Sequence, residues 1–145
     1  MNVTSALGLA GLLTLGLATT AAADTADLVA EGEAVFTQVC FACHYATKPE
    51  PTMAAPPIFA AKNHYADLTD RADFVAAIAA FVRAPSEDAS RMPGALQRFG
   101  LMPPQEITEA EAIAVAEYLY ATDFSLPDWY KVHYEEEHGE APSGD

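Results

Sequence analysis

Hydrophobic positions along the chain recur at spacings of three and four, and no stretch alternates with a period of two. That pattern predicts an all-α protein with no strand. After an apolar N-terminal block, residues 26–39 read as a helix, with Leu28, Gly32, Val35, Phe36 and Val39 on one face and Glu31, Glu33 and Gln38 away from it. Residues 70–85 read as a second, with Phe74, Ile78, Phe81 and Val82 as the apolar stripe. Asp70 stands where a cap is needed, Asp73 sits near the positive end of the helix dipole, and Pro85 stops the run. A short helical piece is expected over about 93–99. The last long helix starts at Thr108, where "TEAE" has the form of a capping box, and buries Ile113, Ala116, Leu119 and Tyr120. Between these lie two segments that resist regular structure: "KPEPTMAAPP" at 48–57, with four prolines in ten residues, and "FGLMPPQEIT", with Gly100 and Pro103-Pro104 around Met102. No internal repeat is evident.

The N-terminal block changes the domain picture. Residues 1–23 carry no charged side chain; a Leu/Ala/Gly run over 6–18 precedes Ala21-Ala22-Ala23. This is the layout of a signal peptide, although no Lys or Arg precedes the apolar run. The run is short of the ~20 apolar residues that a membrane span needs. The expectation is therefore a cleaved leader over 1–23, a folded domain over 24–130 and an acidic tail over 131–145, in an exported, periplasmic protein with no stable membrane span after cleavage. The formal net charge of -14 then falls entirely on the mature protein. Such a charge repels nucleic acid and anionic lipid and favours a partner with a basic docking patch.

Both cysteines lie in "CFACH", Cys40 to His44. A redox disulfide of this spacing belongs between a strand and a helix, and here a helix leads into Cys40. Zinc needs four ligands, and His64, His133 and His138 form no paired motif with the two thiols. A haem fits with fewer requirements. Cys40 and Cys43 can each form a thioether to one vinyl group, and the adjacent His44 then stands as an axial ligand. In an exported protein the C-x-x-C-H motif is specific for this chemistry. The expected cofactor is one covalently bound haem c.

Candidates for the sixth iron ligand are Met53, His64, Met92 and Met102. A thioether ligand raises the potential. Met102 leads, because Gly100 and Pro103-Pro104 hold it on a stiff loop, so that a weak bond forms without a large ordering cost. Met92, also before a proline, is the second choice.

With these motifs in place, the protein resembles a class I, monohaem cytochrome c over nearly the whole mature region. The resemblance rests on Gly32 and Phe36 before "CFACH", a proline-rich loop after it, Met102 before Pro103, and the closing helix with Tyr118 and Leu119. It implies the cytochrome c fold, three to five helices wrapped around the haem. It implies that the first and last helices cross at Gly32, with Phe36 packed against Tyr118 or Leu119. It also implies that a proline carbonyl accepts a hydrogen bond from the haem histidine; "APPIF" offers Pro56, with Pro57 as alternative, although Ala55 stands where the family usually has glycine. The "KNHY" segment and the acidic tail have no counterpart in it.

Arg91, Arg98, Tyr65 and Trp129 are candidates for contact with the haem carboxylates, against a plainer role in surface charge and packing. His133 and His138 lie among Glu135, Glu136 and Glu137, which reads as a solvated acidic helix end before a metal site. The function expected is single-haem electron transfer between redox partners, not catalysis, since His/Met ligation leaves no open iron position. Two alternatives stay open: a ligand-binding sensor or weak peroxidase with a labile sixth ligand, and a cytochrome subunit of a larger periplasmic oxidoreductase.

Overall fold

In a computed structural model, residues 18–45 and 53–143 are described. Most of the expected leader, residues 1–17, lies outside the described residues, and α1 is already helical at Ala18. Helix α1 spans Ala18–Val35 and runs without a break into a π-helical turn, Phe36–Cys40, and a short helix α2, Phe41–His44. Then come α3 (Ile58–Asn63), α4 (Arg71–Arg83), α5 (Pro93–Phe99), α6 (Glu109–Ala121) and α7 (Asp128–His138). The described residues contain no strand, so the architecture is all-α, as the hydrophobic spacing predicts.

The caps form as their residues dictate. The Asp70 carboxylate accepts from the backbone N–H of Ala72 and Asp73 at 2.8 and 3.2 Å. Thr108 and Glu111 close a reciprocal box at the start of α6, Glu111 N–H donating to Thr108 Oγ1 (3.2 Å) and Thr108 N–H to Glu111 Oε2 (2.7 Å). At the far end of α6, Lys62 Nζ donates to the carbonyls of Tyr120 and Thr122 at 3.3 and 2.6 Å, a cation set against the negative pole of the helix.

Helix α6 is the centre of the molecule, packed against α1 on one side and α4 on another. Its sequence is rich in alanine because two helices must come close: Ala112, Ala114 and Ala116 are fully buried. The tightest point is Gly32. A Cβ there would overlap the Ala114 carbonyl oxygen and lie 2.5 Å from its carbonyl carbon and 2.8 Å from Tyr118 Cβ. Phe36, one turn on, meets the Tyr118 ring with centroids 5.5 Å apart. Between α4 and α6, Arg71 Nε donates to the buried Glu117 carboxylate at 2.7 Å.

The π turn departs from a regular helix over 26–39. Phe41 N–H bonds to the Phe36 carbonyl, five residues back, which adds a residue to the turn and rotates the residues beyond it. Val39 consequently leaves the buried stripe and is exposed, while Cys40 turns in and is half-buried.

Two helices are not foretold by the sequence pattern. The segment after Pro57 forms α3, and α7 crosses the expected domain boundary at 130/131, so that the acidic segment begins as an ordered helix. Leu126 and Tyr130 seat α7 on Phe59 and Ala60, with Phe59 and Tyr130 rings 4.8 Å apart. Ser143 donates to the Asn63 side chain at 2.8 Å, tying down the segment beyond α7. The Tyr130 hydroxyl is buried without a well-formed hydrogen bond among the described residues, the Asn63 side chain being its nearest polar neighbour, and burial pushes its pKa up while Asn63 opposes.

Gly32→Ala forces the two backbones apart and is expected to cost more than about 3 kcal/mol, read as a collapse of the denaturant midpoint of the haem-loaded protein. Tyr130→Phe removes a buried hydroxyl that has no well-formed hydrogen bond; stability should stay within about 0.5 kcal/mol of the parent or rise, whereas Tyr130→Ala should lose on the order of 3 kcal/mol. Chemical denaturation of the three variants beside the parent checks both.

Candidate functional site

The π turn and α2 deliver Cys40, Cys43 and His44 to the wall of one large cleft. Apolar side chains from four helices make up most of the rest, among them Ile58, Ile78, Val82, Leu96, Val115 and Leu119. Met102, Met92, Pro56, Tyr65 and Arg91 also line it. Of the sixth-ligand candidates, the fold thus brings Met102 and Met92 to the cleft that holds His44. Met53 and His64 line a neighbouring cleft instead, together with Arg98, Trp129, His133 and His138.

The choice between prolines is decided by geometry. The His44 Nδ1 lies 2.7 Å from the Pro56 carbonyl oxygen. A carbonyl can only accept, so Nδ1 carries the proton and Nε2 keeps its lone pair. The Pro57 carbonyl is committed elsewhere, to Ala61 N–H at 3.1 Å, within the first turn of α3. Burial lowers the His44 pKa, with the Pro56 hydrogen bond opposing. The ring is thereby kept neutral, the form in which imidazole ligates a metal.

Cys40 and Cys43 are free thiols, Cys40 half-buried and Cys43 exposed. Burial, and secondarily the neighbouring Cys43, pushes the Cys40 thiol up to about 11. A thiol held protonated at neutral pH is a poor disulfide-exchange nucleophile, which argues against dithiol redox chemistry. Among the described residues no group of three His, Cys, Asp or Glu converges as a metal site, and His133 pairs with Glu137 at 3.5 Å on the surface of α7.

Met102 is carried on the extended segment between Gly100 and Thr108. Gly100 ends α5 at φ 78°, a conformation that favours glycine. Gln105 then braces the segment: its backbone N–H donates to the Val82 carbonyl at 3.4 Å, and its side-chain amide to the Pro103 carbonyl at 2.7 Å. Sequence reasoning does not single out Gln105, and its position two residues after Pro103 is the only local signal for it.

Arg91 is the one Lys or Arg side chain among the described residues that lines the cleft. Its Nε donates to the His64 carbonyl at 2.8 Å, its guanidinium is paired with Asp67, and it lies over the Tyr65 ring 5.0 Å from the centroid. Arg91 is therefore held in place from behind, at the polar end of an apolar slot.

A flat apolar macrocycle with two vinyl groups and two carboxylates suits this donor set: two thiols, one neutral imidazole, two thioethers, an apolar wall and one oriented guanidinium. The family model described as cytochrome c oxidase, cbb3-type, subunit III matches residues 27–119, well over half of the sequence. The chain belongs to that family. Neither a curated protein nor a solved structure matches it. Membership in the cbb3-type subunit III family makes the cofactor a covalently bound haem c and the broad function haem-based electron transfer. The matched span begins within α1, takes in most of α6 and ends before α7.

Proposed function

We propose that this protein is an exported electron carrier with one haem c, attached through Cys40 and Cys43 and ligated by His44 and Met102. The observation that carries the reading is the His44–Pro56 hydrogen bond at the wall of the apolar cleft. It orients the ring, fixes its tautomer and leaves Nε2 as the ligating nitrogen, with raised basicity. Haem c supplies a one-electron couple when bound there. The protein's own part is to exclude water from the ring faces with Ile78, Val82 and Leu119, and to hold Met102 on a braced segment. With both axial positions filled by protein, the carrier exchanges electrons with partners and does not itself transform a substrate. Pro56 acts as the positioning group of His44.

The uncharged leader over 1–23 supports export, which also suits the covalent haem attachment of the class this sequence resembles. Among the described residues no helix is long and apolar enough to cross a membrane. The net charge of -14 supports docking to a basic patch on the redox partner.

A second reading is favoured by the family description itself, which names an oxidase subunit. In it, the same haem domain works as the cytochrome subunit of a larger periplasmic oxidoreductase. Purification under mild conditions separates the two: a stable stoichiometric complex supports the subunit, a lone single-haem protein the shuttle.

Met102→Ala should lower the reduction potential by on the order of a few tenths of a volt, within the ~0.8 V that axial ligation spans. It should also abolish the weak long-wavelength ferric band of an iron–thioether bond, while Met92→Ala keeps both band and potential. The opposite pattern moves the ligand to Met92. Electron exchange with a basic partner should slow several-fold as ionic strength rises from ~0.01 M to ~0.15 M, since the screening length falls from about 30 to 8 Å; stopped-flow rates that stay flat remove electrostatic docking.

A further inference from the structure

The cleft beside the haem cleft collects most of the protein's histidines. His64, His133 and His138 line it with Arg91 and Arg98, and it shares Pro56, Arg91 and Met92 with the haem cleft. His64, the C-terminal cap of α3, and His138, at the end of α7, stand with ring centroids 5.2 Å apart. Tyr134 packs against both, 4.2 Å from His138 and 5.9 Å from His64. His64 Nδ1 lies 2.8 Å from the Ala60 carbonyl and so donates to it, which leaves Nε2 as the basic nitrogen. The His64 backbone carbonyl in turn accepts from Arg91, the guanidinium at the polar end of the haem cleft.

We propose that His64 and His138 form a proton-binding site coupled to the oxidation state of the haem iron, so that its proton occupancy rises when this carrier gains its electron. The proposal rests on the electron-carrier reading above. His138 and Arg91 stand close enough to oppose a positive charge on His64, so the site holds a proton less readily than a free imidazole. The groups facing His64 come from every element around it. Arg91, with its partner Asp67, stands on the side of the haem cleft; Arg98 lies on α5; His133, Tyr134, Glu137 and His138 lie on α7. Burial is the main cause that lowers the His64 pKa below 6.5; its hydrogen bond to Ala60 and Glu137 oppose, and His138 and Arg91 add to the lowering.

The step balances simply. One electron from the redox partner would convert ferric to ferrous iron, and in the fraction of molecules that gain a proton it comes from solvent and forms an N–H bond at His64 Nε2. The added negative charge at the iron tightens proton binding, and by linkage the bound proton favours the reduced state. The potential therefore falls as pH rises through the site's titration and is flat on either side. Since His64 is held below 6.5, the sloping window lies on the acid side of that value. His64 lies inside the span that matches the family, whereas His138 and Tyr134 lie on α7, outside it.

The test is a spectroelectrochemical titration of the full haem-loaded protein from about pH 5 to pH 8, with His64→Gln, His138→Gln and the double variant beside it. In the parent the potential should slope across the acid part of this range. The slope should correspond to proton affinities of the two redox states that differ by less than ~10-fold, about one pKa unit. Either single variant should reduce it and the double variant abolish it, with the haem bands unchanged. A flat parent, or a slope undiminished in the double variant, overturns the proposal. NMR titration of the His64 imidazole in the ferric and ferrous parent gives an answer that needs no variant: separate midpoints support the coupling, identical ones overturn it. A missing reversible one-electron couple would overturn the carrier reading as well, whereas a reversible couple with no slope overturns this proposal alone.

Discussion

A helix crossing with no room for a methyl group fixes where the walls of the haem cleft must stand. Gly32 lies against the backbone of Ala114, and the three buried alanines of α6 keep that contact short. From this one contact the rest is measured. Phe36 reaches Tyr118 only because the two helices touch one turn earlier, and the π turn beyond it sets Val39 and Cys40 on the cleft wall. The cysteines and His44 are therefore aimed by a backbone contact that lies two turns upstream of them. Chemistry at the cleft depends on a residue with no side chain at all.

Two carbonyl oxygens do comparable work on two histidines. The Pro56 carbonyl fixes the His44 tautomer and the Ala60 carbonyl that of His64, and both rings are pressed toward neutrality by burial. Their surroundings separate the roles. His44 faces an apolar slot lined mostly by hydrophobic side chains, where its remaining nitrogen is suited to a metal. His64 faces a cleft with arginines, a glutamate and a second imidazole, where its remaining nitrogen can exchange a proton. One residue type is suited to ligate a metal in one place and to act as a base in the other by what lines the next few ångströms.

The all-α class was legible in the sequence, and so were the local signals that shape the cleft wall. "CFACH", Gly32 and Phe36 are short, local and chemically constrained, and the capping residues Asp70 and Thr108 mark real helix starts. Two helices escaped because their signals were masked by composition. The prolines of 48–57 suppress any expectation of helix, yet Pro57 stands at the cap of α3 and the run after it is a good helix former. At α7 the charged run hides a stripe at spacings of four, Leu126 just before the helix and Tyr130 and Tyr134 on it, and Gly139 ends the helix at φ 73°. The exposure of Val39 had no signal at all, since a π turn breaks the very period by which the helix was recognised.

Helix α7 also bears on how the acidic charge is used. A wholly solvated tail would spread its carboxylates and contribute little to any one surface. Docked on Phe59 and Ala60, the same residues are divided by the helix. Tyr130 and Tyr134 pack on the core side and also line the cleft, together with His133, Glu137 and His138. Asp128, Val132, Glu135 and Glu136 go to solvent, where Val132 is 57% exposed beside a partly exposed Trp129. Order thus converts a stretch of like charge into one wet acidic face and one proton-exchanging edge. The cost of holding these carboxylates together is met by the aromatic anchor beneath them, so weakening that anchor would blur both surfaces at once.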